Sequence, residues 1–84
     1  MKTFDDLEFK NFVISNKGAA GKAKRAYMHF SNDYGISVID WTGSNISFEC
    51  CELYKGKPSH DGVKYGLLKK EVTEMMKNIQ QYEK

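Results

Sequence analysis

Long hydrophobic runs are missing from this chain. No apolar stretch approaches the ~18 residues that a membrane helix needs, so no spanning segment is expected. Proline is nearly absent, with Pro58 alone. Cysteine is scarce too: Cys50 and Cys51 are the pair, adjacent and too few for a disulfide scaffold. There is no internal repeat and no low-complexity segment. Charge of one sign is also lacking. Thirteen Lys plus Arg face eleven Asp plus Glu, a net charge of +2, which excludes a histone-like polycation or an acidic nucleic-acid mimic. The opening, Met1-Lys2-Thr3-Phe4-Asp5-Asp6, carries acids where a secretory signal would be apolar. With 84 residues, of which 40% are apolar and 29% charged, the reading is one globular domain over residues 1–84.

Catalytic patterns are missing as well. Gly18-x-x-Gly21-Lys22 has glycines and a lysine but neither the spacing nor the following Ser or Thr of a phosphate loop. Asp40 beside Trp41 reads as an exposed strand residue or a turn partner. His60-Asp61 falls in an expected loop, a poor platform for a dyad that needs rigid placement. A nucleophilic Cys50 or Cys51 would need a base that lowers its pKa, and none can be placed. No catalytic residue is assigned, and an enzyme is not expected from so short a chain. Neighbouring strand cysteines point to opposite faces, so reduced thiols in a reducing compartment are the expected state. A zinc site joining Cys50 or Cys51 to His29, His60 or Asp61 is the weaker alternative, because no C-x-x-C or H-x-x-x-H spacing supports it. No cofactor is otherwise expected. His29 reads as a surface histidine.

What is present is alternation. Residues 7–14 (LEFKNFVI) form an expected first strand, with a helix in the first ten residues as the alternative. Residues 15–22 read as a glycine-containing loop. In residues 24–31, Ala26, Met28 and Phe30 share one face and Arg25, Tyr27 and His29 the other, the period of a half-buried antiparallel strand. Asn32-Asp33-Tyr34-Gly35 suits a tight turn, Asn and Asp tolerating unusual backbone angles and Gly35 supplying a positive φ. Residues 36–41 return, residues 42–45 turn again, and residues 46–54 (ISFECCELY) make a fourth strand. There the apolar series Ile46, Phe48, Cys50 meets Glu52, which predicts a bulge near Cys50-Cys51 or a passage from core to edge. Residues 55–66 read as a long polar loop with a short extended piece at 63–65. Leu68, Val72, Met75, Met76 and Ile79 then make one apolar stripe at helical spacing. The expected fold is α+β, a four-stranded antiparallel meander covered by one C-terminal amphipathic helix. Trp41 is expected to pack in the core, with an interface role as the alternative.

Charge is segregated. Residues 17–31 hold Lys17, Lys22, Lys24 and Arg25 with no acid. Residues 32–54 hold Asp33, Asp40, Glu49 and Glu52 with no base. Residues 55–70 hold Lys55, Lys57, Lys64, Lys69 and Lys70 against Asp61. Two basic loops are thus expected to flank an acidic hairpin, with tyrosines between them. That pattern fits a protein interface or a single-stranded nucleic acid. The pI of 8.5 falls below the ~9 more usual for nucleic-acid domains. The residues expected to carry partner binding are Lys22, Lys24, Arg25, Tyr34, Lys55, Lys57, Lys64, Tyr65, Lys69 and Lys70.

Three stretches resemble a group of short proteins encoded by phages and prophages of low-GC bacteria. One is the opening, residues 2–10. Another is Phe30-Ser31-Asn32-Asp33-Tyr34-Gly35-Ile36-Ser37-Val38, similar to the group's Phe-x-Asn-Gly-Tyr-Gly-x-Ser-Val hairpin, with Asp33 in place of the first turn glycine. The last is the C-terminal segment from Leu67 to Gln80. Here Leu68, Lys69 and Lys70 stand where the group carries a capping Thr or Ser and two acids. The resemblance implies a phage origin, action in the host cytoplasm, and no assigned activity. Small phage proteins of this kind often block a host machine. The most concrete expectation is an anti-CRISPR inhibitor that binds a CRISPR-associated nuclease stoichiometrically. The alternative is a small single-stranded nucleic-acid-binding accessory protein.

Overall fold

The computed structural model describes residues 1–11 and 23–82, save the side chains of His60 and Asp61. Its elements run as a single 3₁₀ turn (Phe4–Asp6), β1 (Lys10–Asn11), β2 (Lys24–His29), β3 (Tyr34–Asp40), β4 (Phe48–Tyr54), β5 (Lys57–Leu67) and α1 (Lys69–Gln80). The five strands form one antiparallel meander in chain order. The α+β class and C-terminal helix are as expected, and the strand count is five instead of four. Residues 12–14 of the expected first strand, the 15–22 loop, Lys17 and Lys22 lie outside the described residues. Of the N-terminal alternatives, the chain takes both in short form: one helical turn, then a two-residue strand.

The extra strand is the segment expected as a loop at residues 55–66. Only Lys55 and Gly56 turn, both with positive φ (53° and 82°), the geometry of a two-residue type I′ hairpin. β5 then runs along β4 with register shifts between Phe48 and Cys50 and between Cys51 and Leu53. The pairing counts place the extra residues in β5, where Gly62 and Gly66 take positive φ. The bulge expected in β4 at Cys50-Cys51 is therefore on the opposite strand, and β3 pairs with β4 without a break. β5 is polar because it is an edge strand, paired on one side alone among the described residues, and edges carry lysine, proline and bulges. That composition imitates a loop.

The core lies between one sheet face and α1. Ala26, Ile36, Val38, Phe48 and Cys50 meet Val72, Met76 and Ile79, all nearly inaccessible, with Leu7 and Met75 beside them. Leu68 does not join the stripe: it precedes the helix and is 52% exposed. Its N–H donates to the Glu71 carboxylate at 2.9 Å, so one half of a capping box is present. The N-terminal segment is clamped to the helix. The Lys2 N–H and C=O both bond the Gln80 amide at 2.8 Å, and the Phe4 N–H donates to Thr73 Oγ1 at 3.1 Å.

The β2–β3 turn differs from expectation in one respect. Asp33 takes the positive φ (75°), not Gly35. Gly35 lies in β3 opposite His29, and a Cβ there would fall 2.5 Å from the Met28 carbonyl oxygen. Close approach of two strands, not turn geometry, requires that glycine. Asn32 does more than turn. Its amide donates to the carbonyls of Ile79 (2.9 Å) and Tyr82 (3.0 Å) and accepts the Tyr34 N–H (3.1 Å). The hairpin thus caps the C-terminus of α1, where carbonyls lack intrahelical donors.

Candidate partner-binding groove

A groove of about 760 Å³ opens where α1 ends against the β4–β5 hairpin. Tyr34 and Tyr54 are cross-strand partners on the helix side of the sheet, with ring centroids 4.9 Å apart. Tyr82, just past the helix, meets Tyr34 edge-on at 4.9 Å. Pro58 and Ser59 of β5 form the far wall, and Lys57 stands at the rim. The Lys55 ammonium sits 5.4 Å from the Tyr54 ring centroid. The floor is Glu52, 5% exposed although it is a carboxylate. It lies on the core face opposite Ile36, which is the break seen in the apolar series. Its burial is satisfied by hydroxyl donors: Tyr82 Oη–H to Oε1 at 3.0 Å and Ser59 Oγ–H to Oε2 at 2.9 Å.

The ten residues expected to bind a partner fall in separate places. Tyr34 and Lys57 line the groove, and Lys55 lies over the ring of Tyr54, which lines it too. Lys64 and Tyr65 (72% exposed) lie on β5 toward its far end, and Lys69 and Lys70 in the first turn of α1. The 12-residue helix, roughly 18 Å long, separates that end from the groove. Lys69 has an intramolecular role, its ammonium 5.7 Å from the Phe4 ring centroid. Lys24 and Arg25 begin β2, and the Arg25 guanidinium stacks 4.6 Å from the Tyr27 centroid on the face away from the helix. Lys22 lies outside the described residues. The second basic loop is thus a strand edge and a helix start. Tyr54, Tyr82, Glu52, Pro58 and Ser59 complete the groove and were not among the expected residues. The misplaced carboxylate in the apolar series was the available signal.

Trp41 is not in the core. It is 44% exposed, and its ring N–H donates to Glu49 at 2.8 Å. β3 stops at Asp40, whose carboxylate turns in to accept the N–H groups of Gly43 (3.1 Å) and Asn45 (2.9 Å). The chain leaves the sheet there, and Trp41 leaves with it. Asp40 is thus the turn partner and not an exposed strand residue: these two bonds hold it 4% exposed.

Cys50 and Cys51 occupy opposite faces, Cys50 in the core and Cys51 half-buried. Burial, then the charges of Glu49 and Cys51, push the Cys50 thiol from 9.0 up to about 12. Burial, then Glu49 and Glu52, raise Cys51 as well. Both are thiols at neutral pH, without thiolate reactivity. His29 lies opposite Gly35, which pairs with Leu53 and not with Cys51, so β3 and a two-residue offset separate His29 from Cys51. Among the described residues no three His, Cys, Asp or Glu side chains gather as metal ligands, and the His60 side chain lies outside them. No helix among the described residues is long and apolar enough to cross a membrane.

No family model, curated protein or solved structure matches the chain.

Proposed function

We propose that this chain is a non-catalytic binding protein that inhibits a host protein machine by stoichiometric contact. The observation that carries this reading is the groove, where three tyrosines and a proline line a recess around a buried carboxylate. Tyrosine-rich recesses are where interface energy concentrates. A standard interface needs about 800 Å² per partner, roughly a seventh of the chain's 5651 Å² of accessible surface. A nanomolar complex, about −12 kcal/mol, is within reach of such an interface. A CRISPR-associated nuclease is the most concrete target, and a phage origin with action in the host cytoplasm accompanies it. These specifics rest on the resemblance alone. The test is a tagged pull-down from nuclease-treated host lysate with wild type and Tyr54→Ala side by side, then a cleavage assay on any captured nuclease. The expected result is one stoichiometric protein, lost with Tyr54→Ala. Equal recovery by both baits would count against the groove.

One observation favours a second reading, single-stranded nucleic-acid binding. Arg25 stacks on the exposed ring of Tyr27 on the sheet face opposite α1, with Lys10 paired beside it. Guanidinium and aromatic planes are a platform for bases. Binding of an oligonucleotide whose affinity falls with salt at about −0.7 per phosphate contact would support it.

A further inference from the structure

The groove contains two features that call for the same kind of ligand. The first is Glu52. Its two oxygens accept hydroxyl hydrogens from Tyr82 and Ser59. A carboxylate presents about four lone-pair directions, so two N–H donors can still be received. Hydroxyl donors satisfy its hydrogen bonds without bringing an opposite charge. Among the described residues no lysine or arginine forms an ion pair with it, although Lys57 lines the same groove. The second feature is the ring cluster. Tyr34 is in contact with both Tyr54 and Tyr82, and the rings offer electron-rich faces. One of them already attracts a cation, since the Lys55 ammonium lies over Tyr54.

A guanidinium meets both features at once. It is planar, stacks on aromatic rings, and donates two parallel N–H bonds to a carboxylate. Ammonium is a compact point charge that can sit over a ring or meet the carboxylate, but it neither stacks flat nor bonds the carboxylate in parallel. Lys55 and Lys57 at the rim favour acidic neighbours on the incoming chain. We propose that the groove receives an arginine side chain of a protein partner, its guanidinium stacked on the tyrosine cluster and bonded to Glu52. Acidic residues beside that arginine meet Lys55 and Lys57. This inference rests on the partner-binding reading above and specifies what the groove takes.

The probe is N-acetyl-arginine methylamide, titrated into ¹⁵N-labelled protein, with the lysine and citrulline analogues as comparisons. Citrulline keeps the shape and removes the charge. The expected result is saturable shifts at Tyr34, Tyr54 and Tyr82 with a millimolar Kd. Citrulline is expected to bind at least tenfold more weakly, and lysine in between. Glu52→Gln is expected to abolish the preference for arginine over citrulline. Because that variant disturbs a buried group, Tyr54→Leu at a half-exposed position serves as the second test, and it is expected to weaken arginine binding alone. Lys55→Gln is expected to tighten binding, because it removes the chain's own competing cation. Equal binding of arginine and citrulline, or unchanged binding in both Tyr54→Leu and Glu52→Gln, would overturn the inference. If a protein partner is captured and lost with Tyr54→Ala while arginine fails to bind, the arginine assignment falls and the partner-binding reading stands.

Discussion

Asn32 joins three parts of the molecule with one side chain, and its removal is the sharpest test of how the fold is held. Asn32→Ala deletes two bonds, to the Ile79 carbonyl in the last turn of α1 and to the Tyr82 carbonyl just past it, and one from the Tyr34 N–H. Each such bond contributes about 0.5–1.5 kcal/mol net. The site is half-buried, so water recovers part of the loss, and the expected cost is about 2 kcal/mol. For a domain of this size that lowers Tm by roughly 8–16 °C. Asn32→Asp is the more telling variant. It keeps the acceptor for Tyr34 but turns an oxygen toward two carbonyls at the negative end of the helix dipole. Its cost is expected to equal or exceed that of Asn32→Ala. Urea unfolding followed by circular dichroism gives both values, and amide exchange in the last turn of α1 should quicken selectively. A loss below about 0.5 kcal/mol for Asn32→Ala, or an Asn32→Asp variant as stable as the parent, would refute the capping argument.

Other outcomes follow from single observations. Leu68→Ser replaces an exposed leucine at the helix N-cap, where Glu71 already bonds back, and is expected to add about 0.5–1 kcal/mol in urea unfolding. Gly35→Ala places a Cβ against the Met28 carbonyl and is expected to cost about 1–3 kcal/mol, read as a lowered Tm. The raised Cys50 pKa favours the folded state below the ordinary value of 9.0, and this contribution is lost as pH rises toward about 12. The stability difference between wild type and Cys50→Ala should therefore shrink across that window, in unfolding curves taken at stepped pH. Iodoacetamide at pH 8 should modify Cys51 slowly and Cys50 only on unfolding, read by peptide mass spectrometry.

How much of this was legible depended on whether one residue pattern had one physical meaning. The β2 alternation and the α1 stripe were legible, because burial on one face enforces them: Ala26, Val72, Met76 and Ile79 are all covered. β5 was not, since an edge strand with bulges at Gly62 and Gly66 has the composition of a loop. Trp41 departs from expectation because size alone argues for burial, while the deciding factor is the inward turn of Asp40 one residue earlier. The candidate site was half legible. Tyr34 and Lys57, expected on composition, line one groove, and Lys55 lies over Tyr54 of its lining. Glu52 stands out in the sequence only as a fault in the apolar series. Its hydroxyl partners stand seven and thirty residues further along the chain, and no local pattern joins them. Asn32 shows the same limit, for its acceptors lie 47 and 50 residues away.

The measurement that tests the central claim most directly is the titration of wild-type and Glu52→Gln protein with N-acetyl-arginine methylamide and its citrulline analogue, followed at the Tyr34, Tyr54 and Tyr82 amides. The account expects saturable arginine binding at these three residues, at least tenfold stronger than citrulline, with the preference gone in Glu52→Gln. Equal responses to the two compounds in the wild type would contradict it.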